Sequence, residues 1–223
     1  MKSRISALLT FSISFIFSTV YAQDSLKWDI GIISGIQRTY FQTDSPEESS
    51  STFQAKNEFV NGFMINYELS DYLLLEGNIL HSSKEYHESS SDNPINNRTF
   101  HHKSLSIPLL LKSGFGNRMK ISIMSGLCYD ISLGGRWETD EEFNWFDENG
   151  DEVGQSTITR DLGNELRKNQ LYAMAGVGIR LPIEEYFYFY TSGRYSTTLN
   201  SVYTDGSGKY QHLIFLVGIT ANI

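Results

Sequence analysis

Between Gly62 and Tyr86 apolar and polar side chains alternate with a period of two, broken once at Ser70-Asp71-Tyr72. Phe63, Ile65, Tyr67 and Leu69 share one face of the first run; Gly62, Met64, Asn66 and Glu68 share the other. After the break, Leu73, Leu75, Gly77 and Ile79 stand opposite Glu76, Asn78, Ser82 and Lys84. Successive side chains of a strand point to opposite faces, so each run predicts a strand and the break a tight turn. The apolar face is continuous, while the other carries charges in mid-strand. A transmembrane β-barrel produces that combination, with lipid outside and polar groups inside.

The same periodicity predicts eight strands, at about 27–42, 57–69, 73–86, 101–115, 119–134, 168–182, 186–202 and 210–223. Long connections cover Thr43–Lys56, His87–Phe100, Gly135–Arg167 and Tyr203–Lys209, and short ones fall at Ser70–Tyr72, Gly116–Arg118 and Ile183–Glu185. Long external loops alternating with short periplasmic turns are the pattern of outer-membrane barrels. The expected fold is therefore all-β: an eight-stranded antiparallel up-and-down transmembrane β-barrel with both termini on the periplasmic side. The rival is a soluble lipocalin-like barrel with its apolar residues inside. Mid-strand Glu76 and Arg194 opposite continuous aliphatic faces argue against it.

On the lipid side the pattern places Ile121, Ile123, Leu127 and Tyr129, then Leu171, Ala173, Ala175, Val177 and Ile179, then Leu213, Phe215, Val217 and Ile219. Aromatic girdles are expected at both interfaces. The lower one would hold Trp28, Tyr67, Tyr72, Phe115, Phe187 and Phe189, the upper one Tyr40, Phe41, Tyr86, Tyr195 and Tyr203. The inward face takes Gly31, Gly35, Gly62, Gly176, Gly178 and Gly218, and the charges Glu68, Glu76, Lys112, Lys120, Asp130, Arg180 and Arg194. An eight-stranded barrel is just wide enough for side chains to fill. Unpaired charge in its hydrocarbon zone is expensive. The charges should therefore pair, with Arg194 reaching Glu76 across the lumen, and form a closed polar core.

The length of 223 residues suits one domain. Lys2 and Arg4, the apolar run Ile5–Val20 and the small residue of Val20-Tyr21-Ala22 read as a secretory signal cleaved after Ala22. The expected organisation is a signal peptide at 1–22 and a barrel domain at 23–223, located in the outer membrane. No Cys follows the apolar run, so a lipid-modified N-terminus is not expected. Removing Lys2 and Arg4 turns 18 basic against 26 acidic residues into 16 against 26, a net charge of −10. That argues against nucleic acid as a partner. The single Cys128 excludes an intramolecular disulfide and reads as a small buried hydrophobe beside Met124 and Asp130.

The hairpin at 62–86 resembles the PorT-like outer-membrane barrels of Bacteroidota, the eight-stranded "outer membrane protein beta-barrel domain" proteins. Their second hairpin runs roughly G-x-x-x-x-Y-x-L-S-D-x-L-x-L-x-x-E-L-x-Y-S-x-K-G. Leu69-Ser70-Asp71, Leu75 and Ser82 to Lys84 fit it; Asn78, His81 and Glu85 depart from it. Leu105-Ser106-Ile107-Pro108-Leu109-Leu110-Leu111-Lys112 is similar to the family's L-x-I-P-L-L-L-K, and Arg194-Tyr195 fits the seventh strand. The resemblance implies an envelope barrel, with a link to protein export by the type IX route.

Three groupings could carry chemistry. Gly135–Arg167 holds ten acidic and three basic residues, and Asp147-Glu148-Asn149-Gly150-Asp151 within it has oxygen ligands at alternate positions, as a calcium loop does. Glu152 and Ile158 break the EF-hand pattern, and Asn-Gly is a strong hairpin-turn signal, so a hairpin flanked by Trp145, Phe146 and Val153 is expected. His87 and His102, with Glu88, would meet if the second long loop paired about its centre, and that set suits Zn²⁺ or Cu²⁺. His81 and Ser83 share an outward face, the arrangement of lipid A deacylase barrels, but no acidic residue at a fixed offset completes a triad. No catalytic, cofactor or metal residue is therefore assigned. The expected function is a non-enzymatic envelope protein whose acidic external loops face a protein partner or a cation. A lipid A-modifying enzyme and a small-solute channel are the alternatives.

Overall fold

The computed structural model describes residues 28–42, 51–70, 72–90, 97–116, 119–139, 143–146, 149, 152–163, 165–204 and 208–223. The expected leader at 1–22 and the loop residues Asp147, Glu148, Gly150 and Asp151 lie outside them. The described residues form β1 (Trp28–Gln42), β2 (Ser51–Ala55), β3 (Asn57–Ser70), β4 (Leu73–Ser90), β5 (Arg98–Phe115), β6 (Lys120–Thr139), β7 (Phe143–Phe146), β8 (Glu152–Ser156), β9 (Thr159–Asp161), β10 (Asn169–Pro182), β11 (Phe187–Thr198) and β12 (Lys209–Asn222).

Eight of these strands are barrel staves, each antiparallel to its neighbours, in the order β1-β3-β4-β5-β6-β10-β11-β12. β12 pairs with β1 from Asp29↔Asn222 to Gln42↔Lys209, and β10 pairs with β6, so the sheet closes on itself. Closure leaves the staves no free edge, as a membrane span requires. The three short turns lie at one end, where the expectation put them. At the other end the staves continue past the predicted boundaries: β4 reaches Ser90 and β5 starts at Arg98. There β2 pairs with β4, β9 pairs with β6, and β7 and β8 form the expected hairpin, with Trp145 opposite Gly154.

Facing follows the period-two pattern. Ile32, Phe63, Ile123 and Phe215 are exposed on the outer wall, whereas Glu76, Lys112, Asp130 and Arg194 are buried inside. Neighbouring backbones approach so closely that a Cβ on Gly35 would stand 1.8 Å from the carbonyl oxygen of Phe215. Only glycine fits there. The pattern breaks once in β6, where the pairing slips between Lys103 and Ser104 and Gly134 takes φ +135°. This β-bulge re-aims the strand beyond it. Inward positions change from Met124, Cys128 and Asp130 to Trp137 and Thr139.

The upper aromatic girdle differs from expectation. Tyr40 and Tyr195 face outward, but Tyr86 is 1% exposed inside the barrel, and Phe41 and Tyr203 pack against the core beside it. On β4 the even-numbered residues point inward, and Tyr86 shares their face with Glu76, Asn78, Ser82 and Lys84.

Candidate functional site

The lumen is filled in layers. Nearest the periplasmic turns, Arg180 Nη2 donates to Asp29 Oδ1 at 2.9 Å, and Asn222 donates to the same oxygen at 3.1 Å. Glu68 lies 3.6 Å from Lys120 Nζ and 3.7 Å from Arg180 Nη1, and the Arg180 guanidinium lies 3.5 Å from the Tyr188 ring centroid. Above this, Glu76 is fully buried and serves two cations. Arg194 Nη2 donates to its Oε1 at 2.7 Å, and Lys112 Nζ donates to its Oε2 at 2.8 Å. Asn78 donates to Oε1 at 2.7 Å and Tyr190 to Oε2 at 3.3 Å. The expected Glu76–Arg194 pair is present, and Lys112 joins it. Charge-assisted bonds of this kind replace the hydration that burial takes from each carboxylate oxygen.

A second buried pair sits higher. Lys84 Nζ bonds Asp130 Oδ2 and donates to Tyr172 OH at 3.0 Å, and Tyr172 OH donates to Gln170 Oε1 at 2.5 Å. Cys128 Sγ donates to Asp130 Oδ1 at 3.5 Å, inside the wall as expected. His212 contacts Thr39 Oγ1 at 3.1 Å through Nδ1. Lys84 and Asp130 stand on β4 and β6, two staves apart, so their meeting follows from register rather than from either strand alone.

At the outer mouth charge gives way to aromatic rings. Tyr86 stacks on Phe41 at 4.8 Å and on Phe100 at 4.7 Å between centroids, and its hydroxyl lies 2.6 Å from that of Tyr203. Leu162, Leu166 and Val202 are buried over the mouth, tied down by Leu162 N–H donating to Gly135 O at 2.9 Å and Arg167 N–H to Val202 O at 2.9 Å. Between them and the ring layer a cavity of about 330 Å³ opens outward. Its walls are Phe41, Phe53, Tyr86, Phe100, Trp137 and Tyr203, and its charged lining is Glu88, Arg98, Arg160 and Glu165. The Arg98 guanidinium lies 4.6 Å from the Trp137 ring centroid, and Arg160 Nη2 donates to Glu165 Oε1 at 2.5 Å. Flat aromatic walls and a charged rim of both signs suit binding by stacking and hydrogen bonding. Leu162 and Thr204 complete the lining.

The groupings read from the sequence fare differently. His87 and His102 do not meet: Lys84 pairs with His102 and His87 with Thr99. His102 is buried in the lumen, with Nε2 2.9 Å from Ser132 Oγ. Among the described residues no group of three or more His, Cys, Asp or Glu side chains could hold a metal. His81 and Ser83 point outward on β4, with Asn61 and Leu105 opposite His81. Residues two apart on a strand are nearly 7 Å apart, and no hydrogen bond joins this pair. The cavity itself escaped the sequence reading. Trp137 lies beyond the bulge, where simple alternation fails, and the Gly134-Gly135 pair is the one local signal of it.

A model of the family described as outer membrane protein beta-barrel domain matches residues 21–204. No protein of curated function matches the chain. Among solved structures, OprG from Pseudomonas aeruginosa is 10% identical with a TM-score of 0.50, covering 89% of this chain and 97% of that one. Neisserial surface protein A is 10% identical with a TM-score of 0.47, covering 88% of this chain and 97% of that one. Outer membrane protein W of E. coli is 16% identical with a TM-score of 0.45, covering 90% of this chain and all of that one. At 10% identity the likeness to OprG shows the fold alone. The family match and the closed eight-stranded wall together make this chain a member of the outer membrane protein beta-barrel domain family.

Proposed function

We propose that this protein is a non-conducting, non-enzymatic outer-membrane barrel that binds a partner at its external mouth, reaching the membrane with a leader cleaved after Ala22. The observation that carries this reading is the filled lumen. Glu76, Lys112 and Arg194 close its middle with direct bonds, and the Tyr86 ring stack closes its top. What stays accessible is the mouth cavity, with its stacking walls and charged rim, and the connection at 140–158 is acidic in sequence. The resemblance to PorT-like barrels extends the proposal to a role beside the protein-export machinery, with the partner a protein.

The test has two arms. Proteoliposomes containing the purified protein should not swell in small sugars, and rapid swelling would turn the reading to a solute channel. Lipid A mass profiles from cells with and without the gene should coincide. A difference in acyl chains that Ser83→Ala abolishes would turn it to a lipid-modifying enzyme working through His81 and Ser83.

A further inference from the structure

Gly193 is an outward-facing glycine of β11 with open space over it. A Cβ on it would meet nothing within 4 Å, and its φ is not positive. Neither backbone conformation nor close approach explains it. On the outer wall it sits between Val177 of β10 and Phe215 of β12, and its lost side chain opens a groove of about 600 Å³. Ala175, Val177, Tyr195, Leu213, Phe215 and Ile36 line the groove, with Arg38 and Asn57 at one end.

The ends differ in height. Arg38 stands ten residues above Trp28 in β1, roughly 25 Å at about 3.3 Å per residue and the usual barrel tilt. Ala175 stands seven residues above Pro182 in β10, roughly 18 Å on the same basis. The groove therefore descends from Arg38, at the level of the outer interface, into the hydrocarbon zone. Arg38 is exposed, lies 5.6 Å from the Tyr40 ring centroid, and has no carboxylate partner among the described residues. A cation at headgroup height above an apolar groove matches a phosphate above an acyl chain, in charge and in polarity.

We propose that this groove is a lipid site that takes one acyl chain of a phosphate-bearing outer-leaflet lipid, with the phosphate on Arg38 and Asn57. Gly193 is the residue that leaves room for the chain.

The test is lipid retention by the full-length barrel, read by native mass spectrometry in detergent. The probes are diphosphoryl lipid A and the same lipid stripped of its phosphates. The unmodified protein should retain the phosphorylated form about tenfold better. Gly193→Leu, which fills the groove where a Cβ has open space, and Arg38→Gln, at an exposed position, should each reduce retention about tenfold. Heat-modifiable migration verifies folding, and Ala175→Leu is the second groove-filling variant should Gly193→Leu lack it. Equal retention of the two lipids, or retention unchanged in the folded groove-filling variant or in Arg38→Gln, overturns the proposal. So does a dimer that forms without lipid and is lost in Gly193→Leu, because the groove would then be an interface between copies.

Discussion

The middle and the mouth of the lumen solve one problem in two ways. Both are narrow, inward-facing and closed. In the middle, Glu76, Lys112 and Arg194 fill the space with paired charge, and Tyr190 and Asn78 satisfy the remaining lone pairs. At the mouth, Phe41, Tyr86 and Phe100 fill it with stacked rings, and the Tyr86 hydroxyl reaches that of Tyr203. Charge in the middle is inaccessible to water, so each group depends on its partners. The mouth borders water, and rings leave flat surfaces that a ligand can share. The middle is built to hold; the mouth holds and leaves ring surface facing the cavity.

The largest expected effect comes from breaking the middle. Arg194→Ala should destabilise the barrel by about 3–5 kcal/mol, since it strands Glu76 beside Lys112 alone. Adding Glu76→Gln should return part of that loss, and strict additivity in denaturant titrations in bilayers would mean the two residues do not act as a unit. Val177 lies one residue from Gly176, the pairing partner of Arg194, but faces lipid. Val177→Arg should cost about 2–4 kcal/mol by the same titration. Together the two show that a charge at this depth is tolerated only inside, with a partner.

Breaking the mouth should cost less. Tyr86→Leu keeps an apolar side chain but removes the two ring stacks and the hydroxyl's hydrogen bonding, for a loss of about 1–3 kcal/mol. A loss equal to that of Arg194→Ala would place the main closure at the mouth. Smallest is the rim: Arg160 and Glu165 are 61% and 48% exposed, so Glu165→Gln should change stability by less than about 1 kcal/mol.

The same two regions were not equally legible. The Glu76–Arg194 pair follows from alternation plus the rule that buried charge must be matched, and both hold in straight staves. Lys84 was visibly on the polar face, but its partner Asp130 depends on the register of two further strands. Tyr86 was readable from parity alone; assigning upper aromatics to a headgroup girdle displaced that reading. Trp137 was not readable by alternation, because the bulge at Gly134 flips every position beyond it. The His87–His102 site fails on parity: the hairpin sets His87 opposite Thr99 and Lys84 opposite His102, so His102 points into the lumen while His87 lies on the outward face of β4.

The closed lumen is tested most directly by the current through purified protein in a planar lipid bilayer. The Glu76 network and the Tyr86 stack predict no stable open conductance for the unmodified barrel. Removing one of the Glu76 network's two cations with Arg194→Ala and the stack with Tyr86→Leu in one chain should produce brief openings. Steady, large-conductance channels from the unmodified protein would contradict the account and make the lumen itself the functional site.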